Sequence, residues 1–186
     1  MTVAQHGNFF QKSIRVVLGL GLMSGLPAGA AVAQDTTTAP PSYWLAGASL
    51  GMPGSEGDFA PELMTIGTHL TRARPGRLGP DFSIGTMPYA LAAGMAVVGV
   101  RAGLVLPLRV GPGVMLLPSG GLSFVGVSTG MGAGALAGFN LGGSAIFESP
   151  GPVGMRAGIT WHRFQESRTG IWLVELGIVR SLGQSS

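Results

Sequence analysis

Hydrophobic and polar positions alternate with a period of two along most of the chain beyond residue 43. From 155 to 162, in the run Val153–Phe164, every odd position is apolar and every even position is polar, charged or glycine. The run Ile171–Leu182 repeats the pattern, with Trp172 and Leu176 on one face and Glu175 on the other. This period predicts two β-strands that each have one apolar face, joined through the polar segment Gln165–Gly170.

Six earlier segments alternate in the same way and are separated by glycine, proline and polar residues that favour turns. They are Trp44–Met52, Glu62–Arg72, Asp81–Thr86, Val97–Arg109, Val114–Val127 and Ala135–Phe147. Gly111–Gly113 predicts a tight turn, and Pro118–Gly121 predicts a bulge or bend within its strand. The total is eight strands.

Eight strands of about ten residues match what a tilted strand needs to cross a bilayer. A sheet edge cannot stay open in hydrocarbon, so the sheet must close. The prediction is an all-β, eight-stranded, antiparallel, up-and-down transmembrane β-barrel with its apolar face toward lipid. The turns at one end are Ala73–Gly79, Gly111–Gly113 and Ser149–Pro152, and the loops at the other are Pro53–Pro61, Pro88–Gly94, Ser128–Gly134 and Gln165–Gly170.

The first 33 residues have the layout of a secretory signal. Lys12 and Arg15 precede the apolar run Val16–Leu26, and Ala31–Ala33 supplies a small-residue cleavage site. The alternative is an N-terminal membrane anchor, although the run is short for a span. We therefore divide the chain into a signal peptide (1–33), a flexible lead-in (34–42), the barrel domain (43–182) and a tail (183–186).

Composition agrees with a membrane protein. Only 10% of residues are charged, 33 are glycine, and the mean hydropathy is +0.43, which is more apolar than an average soluble domain. Loss of Lys12 and Arg15 with the signal leaves nine basic and eight acidic residues, so no nucleic-acid partner is expected. The absence of cysteine excludes disulfides and thiolate metal sites.

Charged and polar residues on the inner face predict a polar network in the lumen. Its members are His69, Asp81, Arg101, Asn140, Arg156, His162 and Glu175. Arg156 and Glu175 lie on adjacent strands and are expected to pair. An eight-stranded barrel is narrow enough for side chains to fill, so we expect a plugged lumen. The alternative is a narrow pore, because several inner positions carry only glycine or serine: Gly47, Ser49, Gly99, Gly103, Gly142 and Ser144.

The outer face carries Trp44, Trp161 and Trp172 near strand ends, as in an aromatic girdle.

No enzyme, cofactor or metal site is predicted. A lipid hydrolase would draw on His69 or His162, a serine such as Ser83, Ser123 or Ser144, and Asp81 or Glu175, but the chain has no Gly-x-Ser-x-Gly motif. The two histidines are far apart in sequence, and neither stands in a close cluster of ligands.

Two structural alternatives remain. Tyr89–Leu108 is twenty residues long with one charge, Arg101, and would pass as a transmembrane helix, although its valines and Pro107 oppose that interpretation. The other alternative is a soluble periplasmic or secreted carrier barrel, in which the apolar face would turn inward around an apolar ligand.

The chain resembles the small outer-membrane β-barrel proteins of OmpA-like or OmpX-like type. The resemblance rests on the signal, the eight glycine-punctuated strands and the segments Gly138–Phe147, Arg156–Phe164 and Leu173–Arg180. It implies a bacterial, Gram-negative-type outer membrane, a structural or surface role, and contact with outer-membrane lipid and the barrel-assembly machinery. Such barrels usually finish on an aromatic residue, for which Leu182 is the surrogate here. The oligomeric state is left open, with a monomer as the expectation.

Overall fold

A computed structural model describes residues 42–55, 58–165 and 170–183. The predicted signal peptide, all but the last residue of the lead-in, and residues 184–186 of the tail lie outside this part of the chain.

The described chain is almost entirely β-structure. Its strands are β1 (Tyr43–Ser55), β2 (Asp58–Phe59), β3 (Thr65–Ala73), β4 (Gly79–Thr86), β5 (Ala96–Val105), β6 (Leu108–Gly111), β7 (Val114–Thr129), β8 (Gly132–Phe147), β9 (Val153–Phe164) and β10 (Gly170–Leu182). A 3-10 helix spans Pro61–Leu63, and one short helix, α1, spans Pro88–Ala92. Among the described residues, no helix is both long and apolar enough to cross a membrane.

Eight of these strands close into a barrel. Each strand pairs antiparallel with its neighbours in the order β1, β3, β4, β5, β7, β8, β9 and β10, and β10 pairs back with β1. The closing ladder runs from Trp44 opposite Leu182 to Gly54 opposite Trp172. The predicted eight-stranded antiparallel barrel is confirmed.

Strand β6 continues β5 along β7 after a two-residue interruption. The register is the same on both sides, with Val105 opposite Ser119 and Leu108 opposite Leu116. Between them the Leu106 amide donates to the Pro118 carbonyl at 3.0 Å. Pro118 has no amide hydrogen with which to donate to Leu106 in turn, so the ladder is interrupted at this pair.

The sequence predicts a bulge or bend at Pro118–Gly121, and the bulge is wrong. The β7 register with β8 is uninterrupted from Val114 to Thr129, because Pro118 directs its missing donor toward β5 and leaves the β8 ladder intact.

The turns follow the proline and glycine signals. Pro112 and Gly113, which has φ of +77°, occupy the central positions of the β6–β7 turn, as in a type II turn. Several predicted boundaries are wrong. The predicted loop Pro53–Pro61 contains strand residues, because β1 extends to Ser55 and Asp58–Phe59 forms β2. Glu62 and Leu63 belong to the 3-10 helix rather than to a strand, since Pro61 begins that turn. The predicted loop Ser128–Gly134 is mostly strand, with Thr129 opposite Gly132.

The apolar faces of the strands point outward. Met155, Leu176 and Ile178 on β9 and β10 are each more than half exposed, whereas His162 and Glu175 on the opposite face of the same strands are buried. The transmembrane helix at Tyr89–Leu108 is therefore wrong, because this segment contains α1 and β5, and Arg101 points inward. The inward apolar face of a soluble carrier is also wrong for these strands.

An apolar core lies inside the barrel at the end where β1 begins, β10 ends and the short turns lie. All its members point inward and are buried: Tyr43, Leu45, Ala73, Val105, Met115, Leu117, Ile146 and Val179. Met115 and Leu117 are at most 1% exposed. We call this layer the apolar plug.

Candidate functional site

A polar cluster crosses the lumen next to the apolar plug, and Arg101 on β5 is its centre. The Arg101 Nη2 atom contacts Glu175 Oε1 on β10 at 2.9 Å, forming a salt bridge. Its Nε donates to Ser83 Oγ at 2.6 Å, and its Nη1 donates to Thr160 Oγ1 at 3.1 Å. A single guanidinium thus joins three other strands, and we call this group the Arg101 cluster.

Glu175 does not pair with Arg156, so that expectation is wrong. Arg156 lies opposite Gly177, two residues along β10 from Glu175. In a narrow barrel a long side chain reaches across the lumen as easily as along the wall, and Arg101 does so. The remaining contact of Glu175 Oε1 is with the Ser49 hydroxyl at 3.4 Å.

A second polar group surrounds Ser123 on β7. The Asn140 amide Nδ2 donates to Ser123 Oγ at 2.9 Å, and the same Oγ lies 2.9 Å from His162 Nδ1. The His162 ring also stacks on Phe164, with 6.2 Å between ring centroids. His162 Nε2 is buried and has no hydrogen-bond partner among the described residues.

The other predicted lumen residues are nearer the apolar plug. Asp81 accepts a hydrogen bond from the Thr71 hydroxyl. His69 is buried opposite Gly47, and its Nε2 has no partner in the described part of the chain. The structure therefore joins Arg101 directly with Glu175 and links Asn140 to His162 through Ser123. Within the described part of the chain, neither His69 nor Asp81 forms a hydrogen bond with these residues.

Two hydroxyl residues of the lumen were not predicted, because the prediction rested on charged side chains. Thr71 and Thr160 were not proposed as site residues, yet each binds a charged side chain. Both lie at inward positions of their strands, so the alternation of inward and outward positions could have identified them as lumen residues. Residue type alone could not identify them, because the sequence also contains threonines and serines that face outward.

The glycines that face the lumen have two kinds of surroundings: a closely packed backbone or open space. A Cβ atom added to Gly103 would lie 2.4 Å from the Gly120 carbonyl oxygen, and one on Gly142 would lie 2.4 Å from that of Ile159. These glycines let neighbouring backbones approach closely. A Cβ on Gly99 would have no heavy atom within 4 Å, so Gly99 borders open space.

That space is a cavity of about 190 Å³ in the half of the lumen away from the apolar plug. Its walls are mainly apolar and include Val97, Val125, Leu136, Phe164, Ile171 and Leu173. Arg101, Glu175, Ser123 and His162 form its polar side. The lumen therefore has three layers: apolar plug, polar clusters and cavity.

The tryptophans lie toward both ends of the barrel. Trp161 and Trp172 pack together with 6.4 Å between ring centroids, and Phe139 extends the cluster at 5.6 Å from Trp161. Trp44 lies at the opposite end, where it pairs with Leu182 and Arg72.

Ser123 and His162 invite comparison with a hydrolytic pair. A general base His is normally oriented by an acid on its second ring nitrogen. Here His162 Nε2 has no such partner in the described chain, and Glu175 is bound to Arg101 instead. The described residues of the chain also contain no group of three His, Cys, Asp or Glu side chains placed to hold a metal ion.

Solved structures share this fold at low sequence identity. The N-terminal β-barrel domain of Pseudomonas aeruginosa OprF aligns with a TM-score of 0.58 and 12% identity, over 78% of this chain and 100% of that chain. Neisserial surface protein A aligns with a TM-score of 0.52 and 12% identity, covering 76% and 97%. A major outer membrane protein from Thermus thermophilus gives 0.51 and 11%, covering 76% and 99%.

No protein-family model matches the sequence, and no curated protein matches it significantly. The structural likeness confirms the resemblance to small outer-membrane barrels at the level of the fold.

Proposed function

We propose that this chain is a bacterial outer-membrane protein with a structural or surface role and a lumen that does not conduct. One observation carries the proposal: the barrel turns its large apolar side chains outward and keeps its buried charged residues inside. Soluble proteins rarely expose a continuous apolar band of this kind, whereas lipid requires it.

The ends of the barrel support a membrane position with a defined orientation. Arg72 and Arg180 are exposed on the two strands that flank β1, close to Trp44 at the plugged end. Guanidinium groups bind phosphate and tryptophan favours the membrane interface. We place this end at the phospholipid headgroups of the periplasmic leaflet, and the cluster of Trp161 and Trp172 at the outer leaflet.

Export and insertion complete the proposal. Residues 1–33 act as the signal peptide, and the barrel-assembly machinery inserts the strands, with Leu182 in the place of the usual terminal aromatic residue. Leu182 ends β10 and is 44% exposed on the lipid face, so its side chain is accessible to the barrel-assembly machinery. The barrel works as a monomer in this proposal.

The first test is heat modifiability. The chain from residue 34 to 186, refolded in detergent, is expected to migrate differently on a denaturing gel before and after boiling, because a closed barrel resists the detergent until heated. Fractionation of expressing bacteria is expected to place the full chain in the outer membrane. A soluble protein with a single mobility would contradict the proposal.

Conductance separates a plugged barrel from a narrow pore. In this proposal the apolar plug blocks a hydrated path, so the wild-type protein in planar bilayers is expected to give no single-channel steps at any applied voltage. A general porin reconstituted in the same way is the positive control. Discrete steps that depend on the amount of refolded protein would support the pore instead.

A further inference from the structure

The cavity in the half of the lumen away from the apolar plug is lined mainly by apolar side chains. Aliphatic and aromatic side chains from five strands line it, including Val97, Val125, Leu136, Phe164 and Ile171. If side chains filled the lumen completely, a large side chain would be expected at position 99. The residue there is Gly99, which leaves open space next to these apolar side chains. The cavity therefore offers apolar contact that the chain's own side chains do not use.

Its size limits the ligand. A cavity of about 150 Å³ with aliphatic and aromatic walls holds a molecule such as benzene. The cavity here is about 190 Å³ and partly open, so it accommodates one small ring or a short branched chain, and it is too small for a complete lipid acyl chain.

Its electrostatics disfavour a charged ligand. The Arg101 guanidinium on the polar side is already bound to Glu175, Ser83 and Thr160. The Glu175 carboxylate balances its positive charge, and the three contacts use three of its five N–H donors. An anion or cation that entered would lose its hydration and meet a polar side with no net charge to offset that loss.

His162 supplies a buried polar atom that can orient the ligand. His162 is 7% exposed and lines the cavity, and its Nε2 has no partner among the described residues. Its Nδ1 is held by Ser123, so the ring position is set by the protein. A buried polar atom without a partner is costly, and a hydroxyl or carbonyl on the ligand would remove that cost.

We propose that this cavity binds a small, uncharged, mainly apolar molecule with one hydrogen-bonding group, which pairs with His162. The polar clusters and the apolar plug close the lumen beneath it, so the ligand enters and leaves on the same side. The barrel is then a receptor or store for such molecules rather than a conduit.

Methyl NMR on the folded protein in lipid nanodiscs tests this directly. Benzyl alcohol is the uncharged probe, and benzoate is its charged counterpart of similar size. We expect benzyl alcohol to shift the methyl signals of Val97, Leu136 and Ile171 with saturation. The lipid-facing methyls of Leu104 and Ile178 should shift only in proportion to the added probe, through its solution in the bilayer. Benzoate should bind at least tenfold more weakly.

A cavity-filling variant provides the control. Gly99→Leu places a side chain where nothing lies within 4 Å, and we expect at least a tenfold loss of benzyl alcohol affinity. Gly126→Leu adds the same side chain to the outer face of the adjacent strand and should bind like the wild type.

Three results would overturn the proposal: cavity methyls that shift without saturation, equal binding by Gly99→Leu, or preferred binding of benzoate. Because the wild-type titration alone can contradict it, the test does not depend on the folding of either variant.

Discussion

Replacing Glu175 with alanine is expected to lower the free energy of unfolding by about 3–5 kcal/mol, the usual cost of leaving one partner of a buried ion pair alone. Arg101 would keep its charge in the lumen while its contact to Glu175 Oε1 at 2.9 Å disappears. The side chains of this pair are only 17% and 11% exposed, so water compensates little. Urea unfolding in lipid vesicles, followed by tryptophan fluorescence, measures the change.

The chain contains a matched control in its exposed ion pair. Arg109 Nη2 and Glu148 Oε1 also lie 2.9 Å apart, but their side chains are 47% and 33% exposed. Glu148→Ala is therefore expected to cost less than about 1 kcal/mol. Combining Arg101→Met with Glu175→Leu removes both charges and should recover most of the stability lost in Glu175→Ala. Equal effects of the two glutamate substitutions would mean that the lumen around Glu175 is freely hydrated.

Replacing Gly103 with valine is expected to prevent the barrel from closing. The new Cβ would stand 2.4 Å from the Gly120 carbonyl oxygen and 2.9 Å from the Gly121 Cα atom. Both neighbours are backbone atoms, so no rotamer change relieves the overlap, and β5 and β7 must separate. The gel mobility difference between unboiled and boiled samples should disappear.

Gly99→Val is the control for this substitution. Gly99 lies on the same strand and the same face, four residues earlier, and its added Cβ would meet nothing within 4 Å. That variant should fold and keep the mobility difference. If both variants fold equally well, the close approach of β5 and β7 at Gly103 is not required for closure.

The strands and their faces could be predicted because alternation is a local property. Val153–Phe164 was predicted with the bounds that the structure has, and Arg101 points inward as the alternation requires. One face of each strand must be apolar in lipid, so a shift of register by a single residue would place Glu175 in hydrocarbon.

The partners inside the lumen could not be predicted in the same way. Sequence adjacency suggested Arg156 for Glu175, whereas the true partner, Arg101, is 74 residues away and reaches across the lumen. Such a contact depends on barrel radius and on strand stagger, which no local pattern encodes. The cavity was missed for the same reason, since the emptiness beside Gly99 depends on side chains from distant strands.

The sixteen-residue strands β7 and β8 have a consequence for what the cell surface would present. In the proposed outer-membrane position, about 9 to 11 residues suffice to cross the membrane, so the tip of this hairpin would stand clear of the lipid. Its ladder is unbroken to Thr129 and Gly132, and only Gly130 and Met131 form the turn. Ordering the backbone of this tip costs about 1–2 kcal/mol per residue, and that cost is already met when the barrel folds. An antibody or another cell's receptor that recognised the tip would therefore meet a hydrogen-bonded ribbon of mostly small residues, with the exposed side chain of Met131 at its turn.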